Sequence, residues 1–327
     1  MTKERVLSGM RPSGKLHLGN LVGALENWRD LQEEYECFFF GADWHALTTE
    51  YAQPEIIRES IQEMIIDWLS VGLSPEKSVI FLQSRIKEHA ELHLLLSMIT
   101  PLPWLERVPS YKEQQQEMAN RDLSTYGFFG YPLLQTADII MYKAHKVPVG
   151  VDQVPHVELC REITRRFNFF YGPVFPIPEP LLTEVPKLLG IDGRKMSKSY
   201  QNAIYISDSP EEIRQKVGQM FTDPDRIKRT DPGNPDICNV FQFHRVYSSP
   251  ETVVQVCEDC RRAAIGCVED KKMLAENLIA YLSPIHARRA EYVRNPDRVE
   301  EVLDEGCRRA RRVASQTMEE VRAAMKI

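Results

Sequence analysis

The sequence predicts an α/β domain built on a parallel sheet, followed by an all-α region. Three observations predict it. Through the first 190 residues, short apolar runs bounded by turns alternate with helix-spaced stretches, the pattern of βα units. From Pro210 onward only helical patterns and turns recur, with no run that reads as a strand. Near the start, a small-residue stretch at 8–20 (SGMRPSGKLHLGN) joins an apolar run to a helical one. The change of pattern puts a boundary near residue 190, between 1–190 and 191–327. A chain of 327 residues has room for about two domains of ~100–200 residues each.

Val6 and Leu7 form the heart of the first strand, and residues 21–28 after the turn carry apolar side chains at helical spacing. In a strand–turn–helix, N–H groups at the helix start face the turn, where the macrodipole favours an anion. His17 adds a donor, and Gly19 lets a ligand approach the backbone. The stretch is neither a Walker loop nor GxGxxG, so an ordinary βα turn is the competing reading. Residues 36–42 (ECFFFGA) read as a buried strand ending at Asp43-Trp44-His45. A helix over 54–69, a strand over 78–83 and a helix over 90–99 follow. Prolines at 101, 103 and 109 break the alternation, and 111–121 is polar enough to be exposed or mobile.

Residues 131–142 (YPLLQTADIIMY) read as a helix with Pro132 near its start, where a helix tolerates proline. Tyr131, Gln135 and Asp138 then share one face, at i, i+4 and i+7. A carboxylate between Ala137 and Ile139 is unusual on so apolar a helix; a surface or capping role is the alternative. Residues 146–151 are strand-like, 157–167 helical, and 170–180 a proline-rich connector. At 188–199 comes a Gly-Lys loop. It holds Lys195 and Lys198 three apart, with Ser197 and Ser199, and is either a cationic clamp or a solvated lysine loop.

Composition narrows the class. Hydrophobic residues are 43% and charged residues 27%, ordinary for a soluble enzyme. No apolar run nears the ~18–20 residues of a membrane span, and no signal-type segment follows Met1, so a cytoplasmic enzyme is expected. Residues 1–190 hold 18 Lys+Arg and 25 Asp+Glu, and residues 191–327 hold 23 and 22, summing to the net −6 of the chain. The second part is therefore better suited to a polyanion. Seven cysteines, an odd number, argue against a disulfide framework. Cys37 and Cys160 read as core.

Lys195–Ser199 spells KMSKS, and residues 17–20 spell HLGN. Together, in this order and on either side of an α/β domain, they resemble the HIGH and KMSKS signatures of class I aminoacyl-tRNA synthetases. Residues 147–159 (VPVGVDQVPHVEL), Pro12-Ser13-Gly14, Gly19-Asn20 and the closing run Val302-Leu303-Asp304-Glu305-Gly306 with Arg312-Val313-Ala314 resemble the bacterial tryptophanyl-tRNA synthetases over nearly the whole chain. The resemblance implies a Rossmann-like catalytic domain, a helical anticodon-binding domain and a homodimer. It also implies a two-step reaction of L-tryptophan, ATP with Mg²⁺, and tRNA(Trp).

Site residues come with it. Arg11, Pro12, Ser13, His17, Gly19, Asn20, Gly150, Val151, Asp152 and Leu188 would line ATP, together with Lys195, Met196, Ser197, Lys198 and Ser199. Lys195, Lys198, His17 and Lys112 would serve the chemistry. Asp138 would accept from the indole N–H, the ring's single donor. Tyr131, Gln135, Gln153 and His45 would complete the tryptophan pocket. The Tyr-x-x-x-Gln-x-x-Asp helix also occurs in tyrosyl enzymes, so the choice of tryptophan rests on Asn20 and on the 147–159 segment. Some tryptophanyl enzymes carry a [4Fe–4S] cluster. Cys238, Cys260 and Cys267 match three of its ligands, with Asp270 at the fourth position and Cys257 as a substitute. Zinc on the same sulfurs, or inert core cysteines, are the other readings.

Overall fold

The computed structural model describes residues 3–108, 123–183 and 188–327, with Ser199 described by its backbone alone. Lys112 lies outside the described residues. Five parallel strands form one sheet: β1 (Arg5–Met10), β2 (Glu36–Gly41), β3 (Ser78–Leu82), β4 (Lys146–Val149) and β5 (Glu179–Leu182), in the spatial order β3-β2-β1-β4-β5. Alternate residues of the central strands serve opposite faces, as the two-residue strand period demands. Val6, Cys37, Phe39 and Ile80 enter one apolar core, while Leu7, Phe38, Phe40, Val79 and Phe81 enter the other. Because both faces are covered, these strands read as unbroken apolar runs.

The first βα connection is α1 (Leu18–Asn20), a wider π-type turn over Leu21–Leu25, and α2 (Glu26–Glu34). Next come α3 (Asp43–Glu50), α4 (Glu55–Val71), α5 (Glu88–Ser97) and the short α6 (Leu102–Glu106). After residue 123 follow α7 (Tyr126–Met141) and α8 (Val154–Tyr171). Two expectations need correction. Helix α7 begins five residues earlier than the proline suggested, capped by Thr125, whose side chain accepts from the Phe128 N–H at 3.3 Å. Pro132 therefore sits inside the helix, where it forfeits one hydrogen bond in the second turn. The connector at 170–180 ends in β5, an edge strand, where a proline such as Pro180 is readily accommodated.

The rest is helical: α9 (Pro210–Gly218), α10 (Asn239–Tyr247), α11 (Pro250–Arg261), α12 (Cys267–Arg294) and α13 (Pro296–Met325). No strand occurs among the described residues past Pro210. The boundary near residue 190 separates strand-bearing from helical chain, but the cores run across it. Leu278 and Leu282 of α12 join the core of Val6 and Ile80, and Ala310, Ala314 and Met318 of α13 join the other. Helix α13 comes so close to β3 that a Cβ at Gly306 would collide with the Ile80 carbonyl oxygen. Arg322 and Glu91 add an ion pair at 2.7 Å between α13 and α5.

Candidate active site

In an open parallel sheet, ligands bind beyond the carboxyl ends of the strands where the order reverses. Here that point lies between β1 and β4. A cavity of about 380 Å³ opens there, lined by residues 7–11 from β1, by 147–150 from β4, and by His45, Tyr131, Gln135, Asp138 and Gln153. So the residues expected to hold the amino acid do converge, and Arg11 and Gly150 join them.

Asp138 is the centre of one end. It is 0% exposed and gathers three partners from three elements. His45 at the start of α3 meets Oδ2 at 2.7 Å, and His89 of α5 meets Oδ1 at 2.6 Å. Gln83, just past β3, donates to both oxygens at 2.8 and 2.9 Å. His89 reaches on to the Tyr142 hydroxyl at 2.8 Å. Burial alone would push the Asp138 carboxyl up. The hydrogen bonds and charges of His45 and His89 outweigh it and hold the group well below the usual carboxylate range. A carboxylate has about four acceptor positions, and these four contacts already engage them. Tyr131 packs over this end, edge-on to His45 at 6.4 Å and beside His156 at 5.6 Å between ring centroids. Burial pushes His156 down to about 4.

The two signature stretches do not line that cavity; they meet one another past Arg11, the last β1-side residue that does. Leu18 N–H donates to the Ile204 carbonyl and Ile206 N–H to the Leu16 carbonyl, both at 2.9 Å, with His17 and Tyr205 paired between them. His17 Nδ1 accepts from the Asn20 N–H at 3.3 Å, and Asn20 Oδ1 accepts from the His17 N–H at 3.0 Å. The imidazole proton therefore sits on Nε2, the ring's remaining donor. Two helix-start N–H groups expected to face an anion, those of Leu18 and Asn20, are thus engaged within the protein. Gly19 has a role besides ligand approach: a Cβ there would press on the His17 ring at 3.0 Å. Burial, and then the positive charge of Lys198, push His17 down to about 4.

Lys198 Nζ donates to the Ser13 carbonyl at 2.9 Å, which brings the lysine loop onto residues 12–14. Burial pushes the Lys198 ammonium down to about 8, against the pull of the Asp67 charge. Met196 and Leu188, expected beside ATP, are 6% and 8% exposed and belong to the core that holds Leu16 and Leu18. They anchor the loop. Pro12 is buried, while Lys195, Val151 and Asp152 are exposed, the last accepting from Gln153 Nε2 at 2.9 Å. Ser197 and Lys195 are shaped by Asn202, which no motif singled out. Its side chain accepts from the Ser197 N–H at 2.8 Å and donates to the Lys195 carbonyl at 3.1 Å and to Asp192 at 2.7 Å.

Residues 2–283 match the family model described as tRNA synthetases class I (W and Y). The chain is a class I tRNA synthetase of this family. The synthetase is 54% identical to a tryptophan–tRNA ligase of Thermotoga maritima, over 99% of each chain. It is 46% identical to one of Aquifex aeolicus, over 99% of this chain and all of that one. Among solved structures it overlays on the tryptophanyl-tRNA synthetase of Campylobacter jejuni complexed with ADP and tryptophan. There the TM-score is 0.90 at 34% identity, covering 99% and 100% of the two chains. A tyrosyl-tRNA synthetase of Archaeoglobus fulgidus shares the fold, with a TM-score of 0.67 at 23% identity.

The cysteines of the synthetase do not form the expected cradle. Among the described residues, no three of His, Cys, Asp or Glu gather as metal ligands. Arg226 Nη1 stands 3.9 Å from the Cys260 sulfur and 3.8 Å from that of Cys267. Burial pushes the Cys260 thiol up to about 11, so it is protonated. Asp270 pairs with His244 at 3.0 Å, Cys238 is 5% exposed, and Cys257 packs partly buried against the same core. These donors do not fit a thiolate-held cluster or zinc.

Proposed function

We infer that this synthetase is a tryptophan–tRNA ligase, which joins L-tryptophan to ATP as an adenylate and then transfers it to tRNA(Trp). The observation that carries this is an aromatic pocket closing on a buried carboxylate, together with a lysine loop folded over the strand–helix turn. The full-length similarity to tryptophan–tRNA ligases supports it and favours tryptophan over tyrosine. The substrate carboxylate is already ionised, so attack on the α-phosphorus of ATP needs no general base. It needs alignment and charge stabilisation. Asp138 is the acceptor for the indole N–H, which enters by displacing one of the Gln83 or His45 donors. Tyr131, Gln135 and Gln153 orient the amino-acid end. His17, Asn20 and Arg11 hold ATP. Lys195 and Lys198, with Ser197, Ser199 and Lys112, neutralise pyrophosphate as it leaves with Mg²⁺.

Residues 1–190 are the catalytic domain in this reading, and 191–327 supply the lysine loop and the tRNA-binding helices. No helix of the described residues is long and apolar enough to cross a membrane, which agrees with a cytoplasmic enzyme. A homodimer is supported by the apolar surface of Leu94, Met98, Leu102 and Tyr126, each more than half exposed. Light scattering should give twice the chain mass, and a monomer would overturn the dimer. No iron–sulfur cluster enters the proposal because the fourth ligand position is Asp270 and not a cysteine. Stoichiometric iron in anaerobically purified protein would reverse that.

The deciding experiment is ATP–pyrophosphate exchange with each amino acid. Exchange with tryptophan and not tyrosine is expected. Exchange with tyrosine alone would overturn the substrate, and exchange with neither would favour a binding protein on a synthetase fold.

A further inference from the structure

The two signature stretches touch where Lys198 Nζ meets the Ser13 carbonyl. They are also joined by the short ladder of residues 16–18 with 204–206, and one turn of α12 ties the 204–206 side of that ladder to α4. His286 Nε2–H donates to the Ile206 carbonyl at 2.8 Å. Three residues on, Arg289 Nε donates to Asp67 Oδ1 at 2.9 Å, and the same guanidinium pairs with Glu63. Between them Arg288 donates to the Ser70 carbonyl at 2.6 Å, so this turn grips α4 along two turns of its length.

Asp67 looks the other way as well. Its side chain is 1% exposed, and the backbone N–H of Leu16 helps to hold its charge. Leu16 directly precedes His17. The Asp67 charge also acts on Lys198. Burial pushes Asp67 up to about 6, and Arg289 is the chief influence pulling it back down. A buried carboxylate of this kind is costly to leave unpaired.

We propose that Asp67 and the His286–Arg289 turn form a positioning latch for adenylate formation, through which a helix of the C-terminal part sets the distance between the His17 stretch and Lys198. The latch rests on the reaction read above. Asp67, His286 and Arg289 touch no reacting atom; His286 acts through Ile206, whose N–H meets the Leu16 carbonyl, and Arg289 fixes that turn on α4 through Asp67. None of the latch residues meets Asp138 or lines the cavity that holds it. Its loss should therefore fall more heavily on ATP than on the amino acid.

The test is steady-state ATP–pyrophosphate exchange with tryptophan, on the full chain, varying each substrate in turn. Wild-type exchange is measured first; its absence refutes the reaction and not the latch. Arg289→Ala should lower kcat/KM for ATP by about tenfold to a hundredfold, the scale of a misplacement near 1 Å. The KM for tryptophan should stay within about twofold. Arg289→Lys keeps the charge and should recover part of the loss. His286→Ala should reproduce the same ATP-selective loss, and His286→Gln, which keeps an N–H donor, should restore most of it. Since Arg289→Ala can also weaken folding, thermal melts accompany each variant, and the milder His286 pair carries the test if Arg289→Ala unfolds. Folded variants with unchanged ATP kinetics would overturn the latch, as would equal losses in the KM for ATP and tryptophan.

Discussion

The Asp138 end of the site and its lysine end are built on opposite plans. At the Asp138 end, hydrogen bonds from Gln83, His45 and His89 engage the carboxylate before any substrate arrives. At the lysine end, Lys195 stands exposed and Lys198 is tied down by the Ser13 carbonyl. On the proposed function, the contrast follows from what each end must do. Discrimination between indole and other rings depends on an acceptor that cannot relax to suit the wrong ligand, so rigidity serves it. Stabilising a leaving pyrophosphate depends on charges that close as charge develops and then let go, so a loop serves it.

The comparison can be broken most severely at Asp138. Asp138→Ala leaves Gln83, His45 and His89 facing an empty space, and removing one partner of a buried charged cluster costs about 3–5 kcal/mol. Urea melts should show that loss, and tryptophan-dependent exchange should disappear together with preference for tryptophan over phenylalanine in competition. Stability within 1 kcal/mol of wild type, as an order-of-magnitude threshold, would mean that this end is not pre-built.

Lys195→Ala should do the reverse. Loss of one charge that acts as pyrophosphate departs should cost about 10²–10³ in kcat, with thermal stability and the KM for tryptophan unchanged. Equal loss in rate and in tryptophan affinity would erase the distinction between the ends. A smaller effect sharpens it: His89→Gln weakens the Asp138 cluster without emptying it. The KM for tryptophan should rise about tenfold, equivalent to ~1.4 kcal/mol, and the KM for ATP should not move.

The smallest effect concerns pH. Lys198 works as an ammonium, and burial has lowered it to about 8. Being a base, it is charged below that value and neutral above it. In the free enzyme, kcat/KM for ATP should therefore decline as pH rises through about 8. In Lys198→Arg, whose guanidinium stays charged throughout, the alkaline decline should vanish; its survival would assign it to another group.

Much of this was legible in the sequence because it is local. The strand–turn–helix of residues 8–28, the shared face of Tyr131, Gln135 and Asp138, and the lysine loop each follow from spacing within a dozen or so residues. What escaped is what depends on distant chain. Gln83 ends a buried strand and His89 lies on an apolar helix; each is a polar residue in apolar surroundings, the signal that could have found it. Their common partner, Asp138, is some fifty residues away and invisible to periodicity. Asn202 lies just past the KMSKS run, outside any spacing rule. Pro132 misplaced a helix start because Thr125 and the tertiary setting outweighed the local cost of an interior proline. Arg226 stands against Cys260 and Cys267, whose match to a cluster pattern came from the family resemblance.

Gly306 has a consequence for how the enzyme is made. The glycine lets α13 lie against the backbone of β3, and β3 leads directly to Gln83. On the ribosome, residue 306 is added long after both signature stretches, the sheet and the whole Asp138 cluster have been synthesised. A nascent chain stalled before that point carries every motif of the active site, yet its edge strand lacks the helix that presses it into place. The helix that braces β3 is thus made only after every residue of the pocket it supports.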